Sequence, residues 1–234
     1  MREQDVDWLL APLPSGRHGL SREQVTRSQR LRLLAAALEV AGTSGYAAMT
    51  VSSVIKQANV SRKTFYEQFA DREDCFLAAY DLLVERALSD VHAAAAVEGP
   101  WHERLRAALA WALDALAAHP HEARVAFVEV LAAGPRALER RDQALRELTA
   151  LLEPGFDAAP ADVDVPASMP TAIAGAIGEL IGAHLRREAA ATLPRLLPDL
   201  LYCALAPFLG PVAAVEAASG KRRPLSPASA GERA

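Results

Sequence analysis

Residues 50–69, TVSSVIKQANVSRKTFYEQF, narrow the fold more than any other segment of the chain. Thr50 and Ser61 belong to the residue types that cap helix N-termini, so each is expected to begin a short helix. Asn59 stands between the two helices, and asparagine tolerates the left-handed backbone that a tight turn often requires. Two short helices joined by a three-residue turn are typical of the helix-turn-helix, whose second helix lies in the major groove of DNA.

The second helix, predicted over Arg62–Phe69, has one apolar and one polar face. With about 100° between successive residues, Phe65 and Phe69 fall together and must pack inward, whereas Lys63 falls opposite them. Lysine can donate to guanine or phosphate, and threonine offers bases a hydroxyl and a methyl group. Free amides at helix N-termini and basic side chains bind phosphate. The alternative is a pair of capped, solvated helices. The residues expected to contact DNA are Thr50, Ser61, Arg62, Lys63, Thr64, Tyr66 and Arg72.

Residues 27–76 resemble the DNA-binding domain of the TetR family of bacterial repressors. That family has a first helix ending in a glycine-aromatic pair, a threonine-initiated helix, a small turn and a serine-capped helix ending in Tyr-x-x-Phe. Asn59 replaces the usual turn glycine, and Ile55 stands where alanine is common. The resemblance implies an all-helical body that binds a small ligand and dimerises through its last two helices. The matching residues are Gly45-Tyr46, Thr50-Val51, Val54-Ile55, Ala58, Val60-Ser61, Phe65-Tyr66, Phe69 and Asp71-Arg72-Glu73.

The segment Arg17–Glu73 is basic, although the whole chain carries a formal net charge of −4. Nine Lys/Arg and five Asp/Glu give this segment a charge of +4, which leaves −8 for the remainder. This asymmetry favours one local surface that faces an anionic partner. Arg17 and His18 precede the first predicted helix, and we expect this stretch to reach DNA outside the major groove, as basic N-terminal arms can.

Alanine and leucine dominate the composition, which favours helix throughout, and we find no segment with a strand pattern. We predict an all-α chain with a flexible arm (1–20), a three-helix helix-turn-helix domain (21–88), a helical dimerisation and ligand-binding domain (89–217) and a disordered tail (218–234). Outside the motif, helices are predicted at 21–41, 71–95, 101–118, 121–133, 136–152, 169–191 and 194–217, with a loop at 153–170.

A ridge of small residues on the predicted helix 169–191 is our candidate dimer contact. Ala174, Gly178 and Gly182 recur every four residues and therefore lie on one face. Glycine inside a helix costs about 1 kcal/mol relative to alanine, so two on one ridge indicate close packing. The ridge is expected to meet a second copy of the chain, and the alternative is close packing within one subunit.

Two helices, 101–118 and 121–133, carry apolar residues on more than one face. Such helices must be covered on all sides, by protein or by a ligand. Trp111, Phe127 and Glu129 are the candidate ligand-binding residues. The alternative for them is a core tryptophan and an acid paired with a nearby arginine.

Other classes of protein are disfavoured by what the sequence lacks. Cys75 and Cys203 have no close spacing and predict two core thiols in a reducing cytoplasm. The longest uncharged apolar stretch, 200–215, contains two prolines and is shorter than the roughly 20 residues of a membrane span. His119 and His121 flank a proline at a helix break, and we expect no metal site. We find no glycine-rich phosphate loop or nucleophile elbow, so neither a cofactor nor an enzymatic activity is expected.

These observations together predict a cytoplasmic, ligand-responsive transcriptional repressor that binds a palindromic DNA operator as a homodimer. A small-molecule effector that prefers a conformation with the wrong spacing between the two reading helices would release the DNA. One alternative is an adaptor of the same fold that binds a protein. Another is an all-helical enzymatic or small-molecule-binding domain with an incidental helix pair.

Overall fold

A computed structural model describes residues 21–161 and 163–219, where every regular element is a helix. The predicted all-α fold is confirmed. The predicted arm (1–20) and residues 220–234 of the predicted tail lie outside the described residues. The α-helices are α1 (Arg22–Ser44), α2 (Val51–Ala58), α3 (Arg62–Tyr66), α4 (Arg72–Ala95), α5 (Trp101–Ala118), α6 (Pro120–Phe127), α7 (Pro135–Thr149), α8 (Gly155–Ala158), α9 (Met169–Arg186) and α10 (Leu197–Ser219). Short 3-10 helices lie at Tyr46–Ala48, Glu129–Ala132 and Ala190–Leu196.

The first helix is bounded by the capping residues that the sequence indicates. Ser21 and Gln24 form a reciprocal capping box at its start, which satisfies amides that the helix itself leaves unpaired. Gly45 follows its end with a φ of 86°, a conformation that side-chain-bearing residues rarely adopt. Helix α1 packs against α2, α4 and α6, so it connects the N-terminal helices to the rest of the chain.

Several predicted helix boundaries are wrong, and backbone geometry explains most of the differences. The helix predicted at 121–133 is interrupted at Val128, where φ is −119° and a 3-10 helix takes over. Helix α9 ends at Arg186 instead of residue 191, because Glu188 adopts a φ of 57°. The predicted loop 153–170 contains α8. The helix predicted at 62–69 ends at Tyr66, and the one predicted at 194–217 spans Leu197–Ser219 with a kink at Gly210, where φ is 77°.

A first hydrophobic core joins the N-terminal helices to the middle of the chain. It contains Tyr46, Met49, Phe65 and Phe76 together with residues from beyond the boundary predicted at residue 88. The residues that it takes from beyond that boundary are Val125, Val130, Ala133 and Ala137. Packing therefore continues across the predicted boundary, and the N-terminal helices share their interior with α6 and α7.

A second region of core lies among α5, α8, α9 and α10. Trp101 donates its indole N–H to the carbonyl of Leu151 at 2.8 Å and meets Phe208 edge-on, with 5.3 Å between ring centroids. A Cβ atom on Gly155 would lie 2.7 Å from Trp101 and 2.8 Å from Phe208, so only glycine fits there without displacing the rings. The close approach of Gly155 thus holds the 150–160 connection against this core.

The C-terminal helical segment is the most apolar part of the described chain. Within residues 21–161 and 163–219, one stretch, Ala190–Ser219, is long and apolar enough to cross a membrane by length and composition alone. Its inward side is occupied by Leu200, Leu201, Leu205 and Phe208, all fully buried in the protein. The kink at Gly210 divides it.

Candidate nucleic-acid interface

The turn between α2 and α3 has the geometry that the sequence predicts. Asn59 adopts φ 51° and ψ 52°, the left-handed conformation. Thr50 Oγ1 accepts from the Ser53 amide at 3.0 Å, and Ser61 Oγ accepts from the Thr64 amide at 3.0 Å. These hydroxyls therefore cap α2 and α3, so that both helix starts are fixed relative to the turn.

Helix α3 is anchored on one side and open on the other. Phe65 is fully buried and Phe69 nearly so, with 5.7 Å between their ring centroids. On the opposite side the Lys63 side chain is 87% exposed, and Tyr66 is 52% exposed. Lys63 Nζ lies 3.8 Å from a carboxylate oxygen of Glu67. Because both side chains are exposed, this ion pair contributes little free energy, and the lysine can exchange it for another anion.

The remaining predicted contacts divide between open and engaged side chains. Arg62 is exposed, and its guanidinium lies 6.0 Å from the centre of the Tyr66 ring. Thr64 Oγ1 lies 2.9 Å from Ser61 Oγ, so the two hydroxyls pair with each other. Thr50, Ser61, Arg62, Lys63, Thr64 and Tyr66 all lie at the N-terminal ends or on the outward side of α2 and α3. Their individual DNA contacts stay predictions.

Arg72 has a structural engagement that the sequence does not reveal. Its Nη1 donates to the carbonyl of Met49 at 2.6 Å, and its guanidinium lies 5.0 Å from the centre of the Tyr46 ring. The arginine therefore ties the start of α4 to the segment that leads into α2. Its predicted phosphate contact stays a prediction, and the structure adds a positioning role for it.

A second arginine with such a role, Arg30, was not predicted. Its Nη1 donates to the carbonyl of Gln68 at 3.3 Å, and its guanidinium lies 4.5 Å from the centre of the Phe69 ring. A cation over an aromatic face is attracted by the ring quadrupole. Arg30 thus holds the end of the α3 segment against α1 across 38 residues of sequence, a distance at which sequence periodicity carries no signal.

The three candidate ligand-binding residues have different surroundings in the structure. Phe127 packs against the core cluster that contains Leu113, Ile181 and Leu185, while Trp111 is half-buried on α5. Glu129 is 7% exposed and both of its carboxylate oxygens are bound by protein groups. An open groove of about 370 Å³ lies elsewhere, along α4, and none of the three residues lines it. The pairing of Glu129 with Arg124 is the alternative that sequence analysis left open; a ligand role for Trp111 and Phe127 stays a prediction.

The small-residue ridge on α9 faces α6 and α7 within the subunit, which is the alternative that the sequence left open; its role as a dimer contact stays a prediction. Ala174 and Gly182 are buried in the single chain. A Cβ atom on Gly182 would lie 3.5 Å from the carbonyl oxygen of Phe127 on α6, and one on Gly178 would lie 4.0 Å from Leu145 Cδ2 on α7. The ridge therefore lies within ordinary contact distance of α6 and α7.

Burial changes the ionisation of three groups around the first core. It raises the pKa of the Cys75 thiol from its ordinary 9.0 to about 12, because a thiolate is poorly solvated away from water. Burial likewise raises the pKa of Tyr80 from 10.0 to about 12 and raises the pKa of Tyr46. These three side chains are therefore neutral at physiological pH, as core positions require.

The capped helices α2 and α3 and the left-handed turn between them lie within a segment that matches a known protein family. Residues 33–79 match the family model described as bacterial regulatory proteins, tetR family. Residues 33–79 therefore carry a TetR-family DNA-binding domain. The matched residues include all of α2 and α3, the C-terminal part of α1 and the first two turns of α4. The resemblance drawn from the Gly45-Tyr46 and Tyr66-x-x-Phe69 features is therefore confirmed.

Several solved structures align with this chain well beyond residues 33–79. The fatty acid degradation regulator FadR of Bacillus halodurans aligns with a TM-score of 0.66 at 19% identity, covering 82% of this chain and 97% of its own. FadR of Bacillus subtilis, solved in complex with stearoyl-CoA, aligns with a TM-score of 0.65 at 20% identity, covering 77% and 98%. RolR, solved with resorcinol, gives 0.55 at 20% identity, covering 88% and 100%. At these identities the likeness concerns the fold; no curated protein matches this chain in sequence.

Proposed function

We propose that this chain is a sequence-specific DNA-binding transcriptional regulator that acts as a homodimeric repressor in the cytoplasm. The observation that carries the proposal is the polar side of α3, which presents Lys63 and Tyr66 to solvent while Phe65 and Phe69 fix the helix from behind. A helix held in this way can enter the major groove as a rigid body. Its lysine, threonine and tyrosine offer donors to bases and phosphates.

The homodimer is proposed from the apolar residues that α9 and α10 leave exposed. Leu180 is 40% exposed on α9, whereas Tyr202, Val212 and Val215 are exposed on α10. Large apolar side chains grouped on exposed helices mark interaction surfaces. A second copy of the chain would cover them and would supply the second half-site contact that a palindromic operator requires.

A small-molecule effector is the remaining part of the proposal. Two proteins of similar fold bind chemically different molecules, since FadR of B. subtilis was solved with stearoyl-CoA and RolR with resorcinol. We propose a small-molecule effector bound by the C-terminal helices. It would release DNA by favouring a conformation in which the two α3 helices no longer match the half-site spacing.

Selection of bound DNA from a random-sequence pool, followed by gel-shift titration at several salt concentrations, tests the proposal. We expect a palindromic motif whose binding weakens steeply with salt, because phosphate contacts release counterions. Replacing Lys63 or Tyr66 with alanine should each cost about 1–3 kcal/mol of binding. The control is Arg104→Ala, which removes an exposed arginine of α5. Failure of the wild type to enrich any motif would favour the adaptor or enzymatic alternatives.

A further inference from the structure

We infer that Glu129 is a positioning residue for DNA recognition: it fixes the angle between the helix-turn-helix and the C-terminal half, and thereby sets the half-site spacing that the dimer accepts. This inference rests on the proposed function. It assigns Glu129 a role that differs from the ligand contact predicted from sequence.

The Glu129 carboxylate bridges the two halves of the chain. Its Oε2 accepts from the backbone amide of Tyr46 at 2.9 Å, across 83 residues of sequence. Its Oε1 accepts from Arg124 Nη2 at 2.8 Å, and Arg124 Nε donates to the carbonyl of Gly42 at 3.2 Å. The Glu129 carboxylate and the Arg124 guanidinium therefore bind the backbone on both sides of Gly45, at Tyr46 and at Gly42. Gly45 lies where α1 ends and the segment leading to α2 begins.

A close backbone approach between α1 and α6 lies beside these hydrogen bonds, and we call the two together the joint. A Cβ atom on Gly42 would lie 2.6 Å from the carbonyl oxygen of His121 and 2.7 Å from its Cβ. His121 Nδ1 also lies 3.2 Å from a carboxylate oxygen of Glu39, one turn earlier on α1. Polar and steric contacts thus hold α1 against α6 at one fixed distance.

The burial of Glu129 is unusual within this protein. Of the charged residues in 21–161 and 163–219, it is the one that is buried. A buried ion pair stabilises a fold no better than apolar residues of similar volume, and its best-attested use is to select one arrangement over others. Apolar contacts, such as those of Val125 and Val130 in the first core, are not directional and would let α1 and α6 slide past each other. The hydrogen bond to the Tyr46 amide depends on distance and angle, and it therefore resists such sliding.

The position of the joint determines what it controls. Tyr46 lies between α1 and α2, so a shift there moves α2 and α3 together relative to α6. In a dimer held through the C-terminal half, that shift changes the distance between the two α3 helices twice, once in each subunit. Half-sites of a dimeric helix-turn-helix protein lie about 34–36 Å apart, or a multiple of it. The spacer length is therefore the property that Glu129 governs, whereas Lys63 and Tyr66 govern base preference.

The experiment measures spacer preference and base preference separately. The half-site selected by the wild type is placed in a second pool with spacers of varied length, and Glu129→Ala, Glu129→Gln and Gly42→Ala are compared with the wild type. We expect each variant to lower the preference for the best spacer over its neighbours at least about fivefold, a change of roughly 1 kcal/mol. Base preference within the half-site should stay as in the wild type.

Two control variants separate an effect on spacer preference from an effect on base preference. Glu139→Ala removes an exposed acid of α7 and should change neither preference. Lys63→Ala should change base preference without changing spacer preference. Spacer preference unchanged in Glu129→Gln and Gly42→Ala would overturn the inference while leaving the proposed function intact. A wild type that selects no DNA would overturn both. If Glu129→Ala does not fold, Glu129→Gln, which keeps the size and shape of the side chain, decides.

A readout without DNA is also accessible. Spin labels on Gln57→Cys, an exposed position of α2, report the distance between the two helix-turn-helix domains of the dimer. The background carries Cys203→Ser, and Cys75 stays because it is buried. We expect one narrow distance distribution for the wild type and a distribution at least about twice as broad for Glu129→Ala. Equal widths would overturn the inference.

Discussion

At the scale of single residues, Ser61 combines two tasks that one set of substitutions can separate. Its hydroxyl caps α3, and it is also expected to lie near phosphate. Ser61→Ala should lower the free energy of unfolding by about 1 kcal/mol. Aspartate and asparagine both cap helices well, but only aspartate repels phosphate. Ser61→Asp should therefore fold as stably as Ser61→Asn yet bind operator DNA roughly tenfold more weakly, about 1.4 kcal/mol.

Urea unfolding and gel-shift titration on the same three variants check this prediction. The neutral Ser61→Asn variant is the control for side-chain size. Equal DNA affinity for the aspartate and asparagine variants would mean that Ser61 acts only as a cap and lies away from the phosphates.

The raised pKa values predict a loss of stability at alkaline pH. Cys75 and Tyr80 ionise at 9.0 and 10.0 when exposed but near 12 in the folded chain. Above pH 9 the unfolded state therefore loses protons first, and the free energy of unfolding falls as pH rises towards 12. Below pH 9 this contribution is complete. Urea unfolding at pH 8, 9.5 and 10.5 measures the slope.

Cysteine variants test the source of that slope. Cys75→Ala should reduce the fall in stability between pH 8 and 10.5, because it removes one of the groups with a raised pKa. Cys203→Ala, which alters a half-buried thiol, is the matched control and should leave the slope as it is. An unchanged slope in Cys75→Ala would contradict the assignment.

The residue-scale features that could be predicted are the local ones. The inward Phe65 and the outward Lys63 follow from the helical repeat and need no knowledge of the rest of the fold. The Met49 carbonyl bound by Arg72 and the Tyr46 amide bound by Glu129 lie 23 and 83 residues away along the chain. Periodicity and capping rules concern neighbours within about four residues. The sequence could therefore suggest a nearby arginine as the partner of Glu129, but it could not name the Tyr46 amide.

At the scale of helices and turns, Asn59 makes the motif sensitive to a single backbone conformation. Its φ of 51° costs most L-residues roughly 1–2 kcal/mol, while glycine is free of this cost. Asn59→Ala should therefore lower the free energy of unfolding by about 1 kcal/mol. Asn59→Gly should leave stability near that of the wild type. The comparison is made by thermal unfolding.

An exposed neighbour supplies the control for this turn. Gln57→Ala, on the last turn of α2, replaces a side chain by alanine at a helical backbone position and should cost little. If Asn59→Ala were as stable as Gln57→Ala, the left-handed conformation at Asn59 would be wrong.

The existence of most helices was predictable, whereas their ends often were not. Ser21, Thr50, Ser61 and Asp71 mark helix starts by a side-chain hydrogen bond within three residues, which is a local signal. The break at Val128 has no such signal, because it places Glu129 against Tyr46 and so depends on the tertiary fold. The local sequence favours one helix over 121–133, whereas the contact of Glu129 with Tyr46 goes with a break at Val128.

At the scale of the whole molecule, exposed Leu180 on α9 is a test position for the proposed dimer interface. Leu180→Glu should shift the protein towards monomer, because burying a charge across an interface is costly, while the circular dichroism stays helical. Operator affinity should fall with it, since one half-site binds poorly alone. Analytical ultracentrifugation measures the first effect and gel shift the second.

Leu138→Glu is the matched control for the interface. Leu138 on α7 is 39% exposed against 40% for Leu180, so both substitutions begin from the same residue type and exposure. A Leu180→Glu variant that remains dimeric would place the interface on another surface, first on Tyr202 and Val212 of α10.

The shared interior of the first core bears on how such regulators can be recombined. A chimera cut after residue 88 would carry Tyr46, Met49 and Phe76 but lose Val125, Val130, Ala133 and Ala137 from the same cluster. It would also leave the Tyr46 amide without its acceptor. A graft that continues through Thr149 brings the whole cluster and the joint with it. The smallest portable unit of this chain that keeps the helix-turn-helix is therefore set by where its packing ends, well beyond α3.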